Sequence, residues 1–147
     1  MPEQNFDLRQ AEELLPEIDG RLRSALECKK QADEICREQA RLIERVVRMG
    51  GIRINIPDTL ALKTKKEKLV ARLRKEVEAI QELGCLIKDL DIGLIDFPTR
   101  INGREAYLCW RLGETNIRHW HYTDEGFANR KPLDEKTVQA RQRRASQ

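Results

Sequence analysis

The stretch Leu94-Ile-Asp-Phe-Pro-Thr-Arg-Ile-Asn-Gly-Arg-Glu-Ala-Tyr-Leu-Cys-Trp-Arg111 decides how this chain folds. Asn102-Gly103 supplies the two positive-φ residues of a type I′ turn, the bend whose twist matches a pair of antiparallel strands. Counting outward from it pairs Arg100 with Glu105, Pro98 with Tyr107, Phe97 with Leu108, Asp96 with Cys109 and Ile95 with Trp110. Strand side chains alternate between faces. One face then carries Ile95, Phe97, Leu108 and Trp110, a core face, and the other carries Asp96, Tyr107, Cys109 and Arg111, a poor core and a candidate site.

Working outward, Ile117-Arg-His-Trp-His-Tyr122 reads as a third strand after the loop Leu112–Asn116. With Trp120 turned to the core beside Trp110, His119 and His121 share the opposite face with Asp96 and Cys109. Every tryptophan, histidine and tyrosine of the chain falls between Tyr107 and Tyr122, so recognition or chemistry belongs there. Gly126-Phe-Ala-Asn-Arg130 follows as a loop that folds over the polar face, and Arg130 offers a planar fork suited to a carboxylate or phosphate. The bland alternative for Arg130 is a surface ion pair with Asp89, Asp91 or Asp124.

Upstream of the sheet the pattern is helical. Asp7 is placed as an N-cap, Gln10 answers it at the third helical position, and Phe6 staples onto Ala11. Leu8, Ala11, Leu15, Ile18, Leu22, Ala25, Ala32, Ile35, Leu42, Val46 and Met49 recur every three or four residues up to Gly50-Gly51, the signature of a long amphipathic helix. Pro16 removes a backbone donor and predicts a kink or break near Leu15. Ile52–Pro57 reads as a connector or minor strand. A second helix is expected from Asp58 or Thr59, with Leu62, Leu69, Leu73, Val77, Ile80 and Leu83 as its buried stripe and Gly84 at its end. Consecutive helices joined by a limited loop lie antiparallel. The first overhangs the second, and its spare stripe must pack on the C-terminal module or on another copy, which favours a homodimer unless Pro16 folds the first turns back.

The expected fold class is α+β, a long antiparallel helical hairpin followed by a small three-stranded antiparallel β-sheet. The expected divisions are a coiled-coil-like hairpin over 1–84, a β module carrying the site over 85–130, and a basic tail over 131–147 with too few apolar groups to fold alone. Of the formal net charge of +3, residues 131–147 hold +3, residues 1–84 hold +1 and residues 85–130 hold −1. That balance argues against a whole-surface nucleic-acid binder. The local exception is the basic hairpin end, with Arg37, Arg41 and Arg45 on one helix and Lys63, Lys65, Lys66, Lys68, Arg72, Arg74 and Lys75 on the other. It is able to hold phosphates, but no aromatic stacking platform accompanies it. No signal-peptide pattern opens the chain and no apolar run approaches the roughly 18 residues that span a bilayer, so a cytosolic protein without a membrane partner is expected. Cys28, Cys36, Cys85 and Cys109 are scattered and fit reduced thiols.

Three chemistries compete for the polar sheet face. Asp96, Cys109, His119 and His121 offer oxygen, sulfur and nitrogen ligands of the kind zinc or iron accepts, and a divalent ion there would serve a metal-dependent hydrolase. Cys109 with His121 as base and Asp96 as orienter would make a nucleophile, although a neighbouring carboxylate disfavours the thiolate. Asp96, Cys109, Glu114, His121 and Arg130 would also ring a pocket for a small anionic ligand, with no bond chemistry at all. The plain alternative to all three is a polar face satisfied by hydrogen bonds.

Lys88-Asp89, Gly93–Pro98, Gly103, Leu108–Glu114, Trp120-His121, Gly126-Phe127 and Arg130 resemble the signature of a prokaryotic family of unknown function, number 2203, and Phe6–Ile18 resembles its N-terminal stretch. The resemblance runs to about Leu133. It implies that Asp96, Cys109, Glu114, His121, Gly126 and Arg130 belong to the motif while His119 does not, and it implies no particular reaction. The leading expectation is therefore a ligand-binding or assembly protein with a polar pocket. In it Arg130 clamps an anion, His121 exchanges a proton, and Asp96 and Glu114 fix orientation. A metal-dependent hydrolase using the same residues is the first alternative and nucleic-acid binding at the hairpin end the second.

Overall fold

The computed structural model describes residues 5–51, 53 and 55–133. The chain is α+β: two helices, α1 (Leu8–Met49) and α2 (Ile56–Glu82), precede an antiparallel sheet of β1 (Leu86–Asp89), β2 (Leu94–Ile101), β3 (Arg104–Arg111), β4 (His119–Tyr122) and β5 (Lys131–Pro132). The strands lie in chain order, each paired with the next.

Each element begins where its local chemistry dictates. The Asp7 carboxylate accepts from the Gln10 backbone N–H at 2.7 Å, and the Asp7 N–H donates back to the Gln10 side chain at 3.1 Å, the reciprocal box expected at the start of α1. Pro16 lies inside α1, which runs unbroken from Leu8 to Met49. The expected break does not occur, because Leu15 and Ile18 are both buried and hold the turn on either side of a proline that itself faces outward. The first turns therefore do not fold back. α2 starts at Ile56, ahead of the expected Asp58, because Asn55 caps it through its side-chain oxygen at 3.2 Å from the Asp58 N–H. Pro57 then sits in the first turn, where its missing donor has no helical partner to lose. Ile52 and Ile54, in the expected connector, lie outside the described residues, whereas Ile56 and Pro57 are helical. Gly84, at φ 100°, ends α2 in the left-handed region.

The β2–β3 register is the one counted from the turn, with Asp96 opposite Cys109 and Ile95 opposite Trp110. Asn102 (φ 54°) and Gly103 (φ 76°) both adopt the positive φ that a type I′ turn demands. Five strands replace the expected three. β1 is short and weakly patterned, and β5 is two residues drawn from the segment assigned to the tail. That segment need not fold alone: Lys131–Pro132 pair with Trp120 and His119, and the Leu133 N–H donates to the Arg118 carbonyl at 2.8 Å. Pro132 is tolerated because β5 is an edge strand. Residues 134–147, the remainder of that segment, lie outside the described residues.

Two compact units result, one comprising residues 1–22 with 77–147 and the other Arg23–Glu76. In the first, Ile95, Phe97, Leu108, Trp110 and Trp120 form one sheet face and are buried against Phe6, Ala11, Leu15, Ile18 and Leu22 of the N-terminal segment and Ile80 of α2. Each large apolar side chain so buried contributes about 1.5–3 kcal/mol. Residue 6 fastens this layer. Its N–H donates to the Pro98 carbonyl at 2.7 Å, its carbonyl accepts from the Thr99 hydroxyl at 2.7 Å, and its ring meets Phe97 edge-on at 5.4 Å. The overhanging stripe of α1 is thus taken up by the sheet of the same chain. In the second unit the two helices line shared grooves, and the inner residues Leu42, Leu62, Leu69 and Leu73 are only half-buried.

Candidate metal centre

Three strands each bring one side chain to the sheet face turned away from the tryptophans. The turn at Asn102-Gly103 sets Asp96 of β2 opposite Cys109 of β3, and the β3–β4 register sets Cys109 opposite His119 and Tyr107 opposite His121. Two residues along a strand return to the same face, so His121 stands one pleat from His119 and diagonal to Cys109. A carboxylate oxygen of Asp96, the Cys109 sulfur and a His121 ring nitrogen lie within 4.8 Å of one another. All three residues are sealed, with relative exposures of 1% for Asp96, 1% for Cys109 and 4% for His121.

Hydrogen bonding around the cluster is incomplete in an informative way. His121 Nδ1 lies 2.9 Å from the Tyr122 carbonyl. A carbonyl only accepts, so Nδ1 carries the proton, and Nε2 is left as the coordinating nitrogen. Nε2 points at Asp96 Oδ2, 3.3 Å away, and among the described residues the only groups that reach the buried Asp96 carboxylate are this imidazole and the Cys109 thiol. A carboxylate oxygen facing an imidazole lone pair at that distance repels it. Either an added proton or a cation must sit among these groups.

The electrostatics agree. Burial holds the Asp96 carboxyl above its ordinary range, against the charges of His121 and Lys88 and the hydrogen bonds of His121 and Cys109. Burial, reinforced by the Asp96 charge, pushes the Cys109 thiol up to about 12, with Arg130 opposing and Glu114 adding to the rise. Without a cation, then, Cys109 is a neutral thiol near neutral pH and a poor nucleophile. The expected Cys109–His121 nucleophile has little support in this setting.

The remaining candidates surround the cluster. Glu114 is committed to the loop that follows β3: its Oε1 accepts the Arg111 N–H at 2.8 Å and its carbonyl accepts the Trp110 indole N–H at 2.9 Å. Its Oε2 lies 3.9 Å from His119 Nδ1, a buried nitrogen without a hydrogen-bond partner. Arg130 is half-buried after the short 3₁₀ turn Phe127–Asn129 and is close enough for its charge to act on Cys109. Lys88 and Tyr107 border the cluster as well. The Tyr107 ring meets His121 edge-on at 5.5 Å, and the Lys88 ammonium lies 5.0 Å from the Tyr107 ring centre. Tyr107 was legible on the site face. Lys88 entered only through the family resemblance, because it comes from β1, which the pattern did not reveal.

The chain belongs to the family of uncharacterized conserved proteins DUF2203, whose model matches residues 4–133. No curated protein and no solved structure matches it.

Proposed function

We propose that this protein binds a single divalent transition-metal ion of the zinc class through Asp96, Cys109 and His121. The observation that carries this reading is a carboxylate oxygen, a sulfur and an imidazole nitrogen within 4.8 Å of one another in a sealed site, with His121 Nδ1 tied to a backbone carbonyl. Metal-bound histidines characteristically donate their second ring N–H to just such a group, which fixes the tautomer and aims the free nitrogen. The mixture of carboxylate, thiolate and imidazole suits zinc or ferrous iron. His119, opposite Cys109 and with a partnerless Nδ1, is the nearest candidate for a fourth ligand.

Sealing favours metal binding over metal-dependent hydrolysis, since a catalytic ion keeps a position open to water. It also supports an ion better than a small organic anion, because the space between atoms so close together holds one ion. Arg130 and Glu114 then act on the centre from outside it. A reducing cytosol, in which the four free cysteines stay as thiols, and a homodimer formed through the helices complete the proposed setting.

Elemental analysis of the purified full-length chain tests the proposal. About one equivalent of zinc or iron per chain is expected, lost in His121→Ala and in Cys109→Ser. Cobalt loading of the native chain should give an intense near-ultraviolet thiolate band absent from Cys109→Ser. A native protein that carries no metal, and that takes up neither zinc nor cobalt at micromolar concentration, would overturn it.

A further inference from the structure

Charge is distributed unevenly along the chain. Residues 37–75 hold twelve Lys and Arg against four Asp and Glu, a net +8, whereas all the other residues together carry −5 within the overall +3. Every one of the twelve except Lys66 is exposed. The same stretch forms the end of the Arg23–Glu76 unit where α1 stops at Met49 and α2 starts at Ile56. That end also carries the five most exposed large apolar side chains among the described residues, Ile43, Val47, Met49, Ile56 and Leu60, each more than half in solvent. Exposed apolar groups gathered in this way mark a surface that meets something. Between Glu44 and Asp58 there is no acid, and Arg45, Arg48 and Arg53 stand among the aliphatics. Glu44 is taken up by Arg48 at 2.6 Å, and Asp58 lies in the first turn of α2, against the positive end of that helix.

The two kinds of side chain are ordered along the helices. At about 1.5 Å per residue, Ile43 lies about 9 Å from the last residue of α1 and Leu60 about 6 Å from the first of α2. The aliphatic zone therefore matches the roughly 5–10 Å to which an interfacial helix buries its apolar side. Arg41, Lys63, Lys65 and Lys66 follow at roughly 10–15 Å, level with a headgroup layer, and the long stems of Arg45 and Arg48 let their charged heads reach that layer from within the zone. We infer that this end of the helix pair docks on an anionic phospholipid surface, its aliphatic tip entering the acyl boundary and its lysines and arginines meeting the headgroups. No helix among the described residues is long and apolar enough to cross a membrane, and a peripheral contact with one leaflet requires none. Each cation held near such a surface strengthens binding about fivefold, and the apolar tip adds a share that salt does not screen. Other occupants fit less well. A second copy laid here would set +8 against +8, so the proposed homodimer is not made at this end. Residues 134–147 are themselves net positive. Nucleic-acid phosphates would meet the charge but gain nothing from the aliphatics, and residues 23–76 contain no aromatic for bases to stack on.

The inference stands apart from the metal centre, so either can fail alone. Co-sedimentation of the full chain with vesicles tests it, in about 0.15 M salt. The native chain is expected to pellet with vesicles of equimolar phosphatidylserine and phosphatidylcholine and to stay in solution with phosphatidylcholine alone. Arg45→Gln and Arg53→Gln should each lower the partition coefficient about fivefold. Val47→Gln combined with Met49→Gln leaves the charge unchanged and should lower it at least about tenfold, with helical circular dichroism as in the native chain. Ile92→Gln, at an exposed aliphatic of the other unit, should leave binding as it was. A native chain that fails to pellet with the anionic vesicles overturns the inference. So does equal binding by the Val47→Gln, Met49→Gln variant, release of the chain from vesicles by RNA or duplex DNA at matched phosphate concentration, or a tip variant that changes the oligomeric state and not the vesicle binding.

Discussion

A carboxylate sealed beside an imidazole nitrogen is costly until a proton or a cation joins it, so Asp96 should respond in opposite senses to loss of charge and to metal. In Asp96→Asn the new amide donates to His121 Nε2 and the buried charge is gone. The metal-free variant should be more stable than the metal-free native chain by about 1–2 kcal/mol near neutral pH, read by thermal or urea unfolding, while zinc should no longer raise its melting temperature. A variant less stable than the native apoprotein would show that Asp96 is held by contacts the present geometry does not reveal. Cys109 sets the alkaline behaviour. Its folded-state thiol lies at about 12 against an ordinary 9.0, so folding favours the protonated form. The stabilisation is whole below pH 9 and is lost as pH climbs from 9 toward 12. Cys85, buried and raised to about 11, adds in the same direction. Melting temperatures of the apoprotein should therefore fall across pH 9 to 11, less steeply in Cys109→Ala. Bound zinc should remove the Cys109 share, since a metal holds the thiolate and releases its proton.

At the scale of elements, the sheet that carries the centre depends on one tight approach. Gly93 has φ +67°, and a Cβ added there would lie 2.5 Å from the Leu112 Cβ. Gly93→Ala thus combines a left-handed backbone with a clash against a neighbour attached directly to the main chain, and should destabilise by about 2–4 kcal/mol. Urea denaturation should show it as a lowered midpoint. At the other end of the unit, Asp7→Ala removes the acceptor that caps α1 and should destabilise by about 1 kcal/mol. The contrast shows what sequence carries. The cap and the β2–β3 turn are local, each set by side chains within a few residues, and both were legible. The Asn102-Gly103 bend fixed the register, and the register fixed which residues share a face. The unbroken passage of α1 through Pro16 was not legible, because it rests on burial of Leu15 and Ile18 against residues far along the chain. β1 and β5 were missed for a related reason: such short strands exist because a neighbour offers an edge, and an edge is a tertiary object.

For the whole molecule, the basic hairpin end bears on partners. With no stacking platform, any attachment to RNA or DNA there is by phosphate charge alone. Filter binding should show retention falling steeply with salt and absent near 0.15 M, and retention that persists there would revive a nucleic-acid role. No helix among the described residues is long and apolar enough to cross a membrane. By itself the sequence determined the α+β class, the helix start at Asp7, the strand register, and the meeting of Asp96, Cys109 and His121 on one face, because each follows from chain periodicity and one turn of known geometry. Only the tertiary structure decided that this face is sealed and that the stripe of α1 rests on its own sheet. Burial depends on what else packs nearby, and no spacing of residues along a chain encodes that.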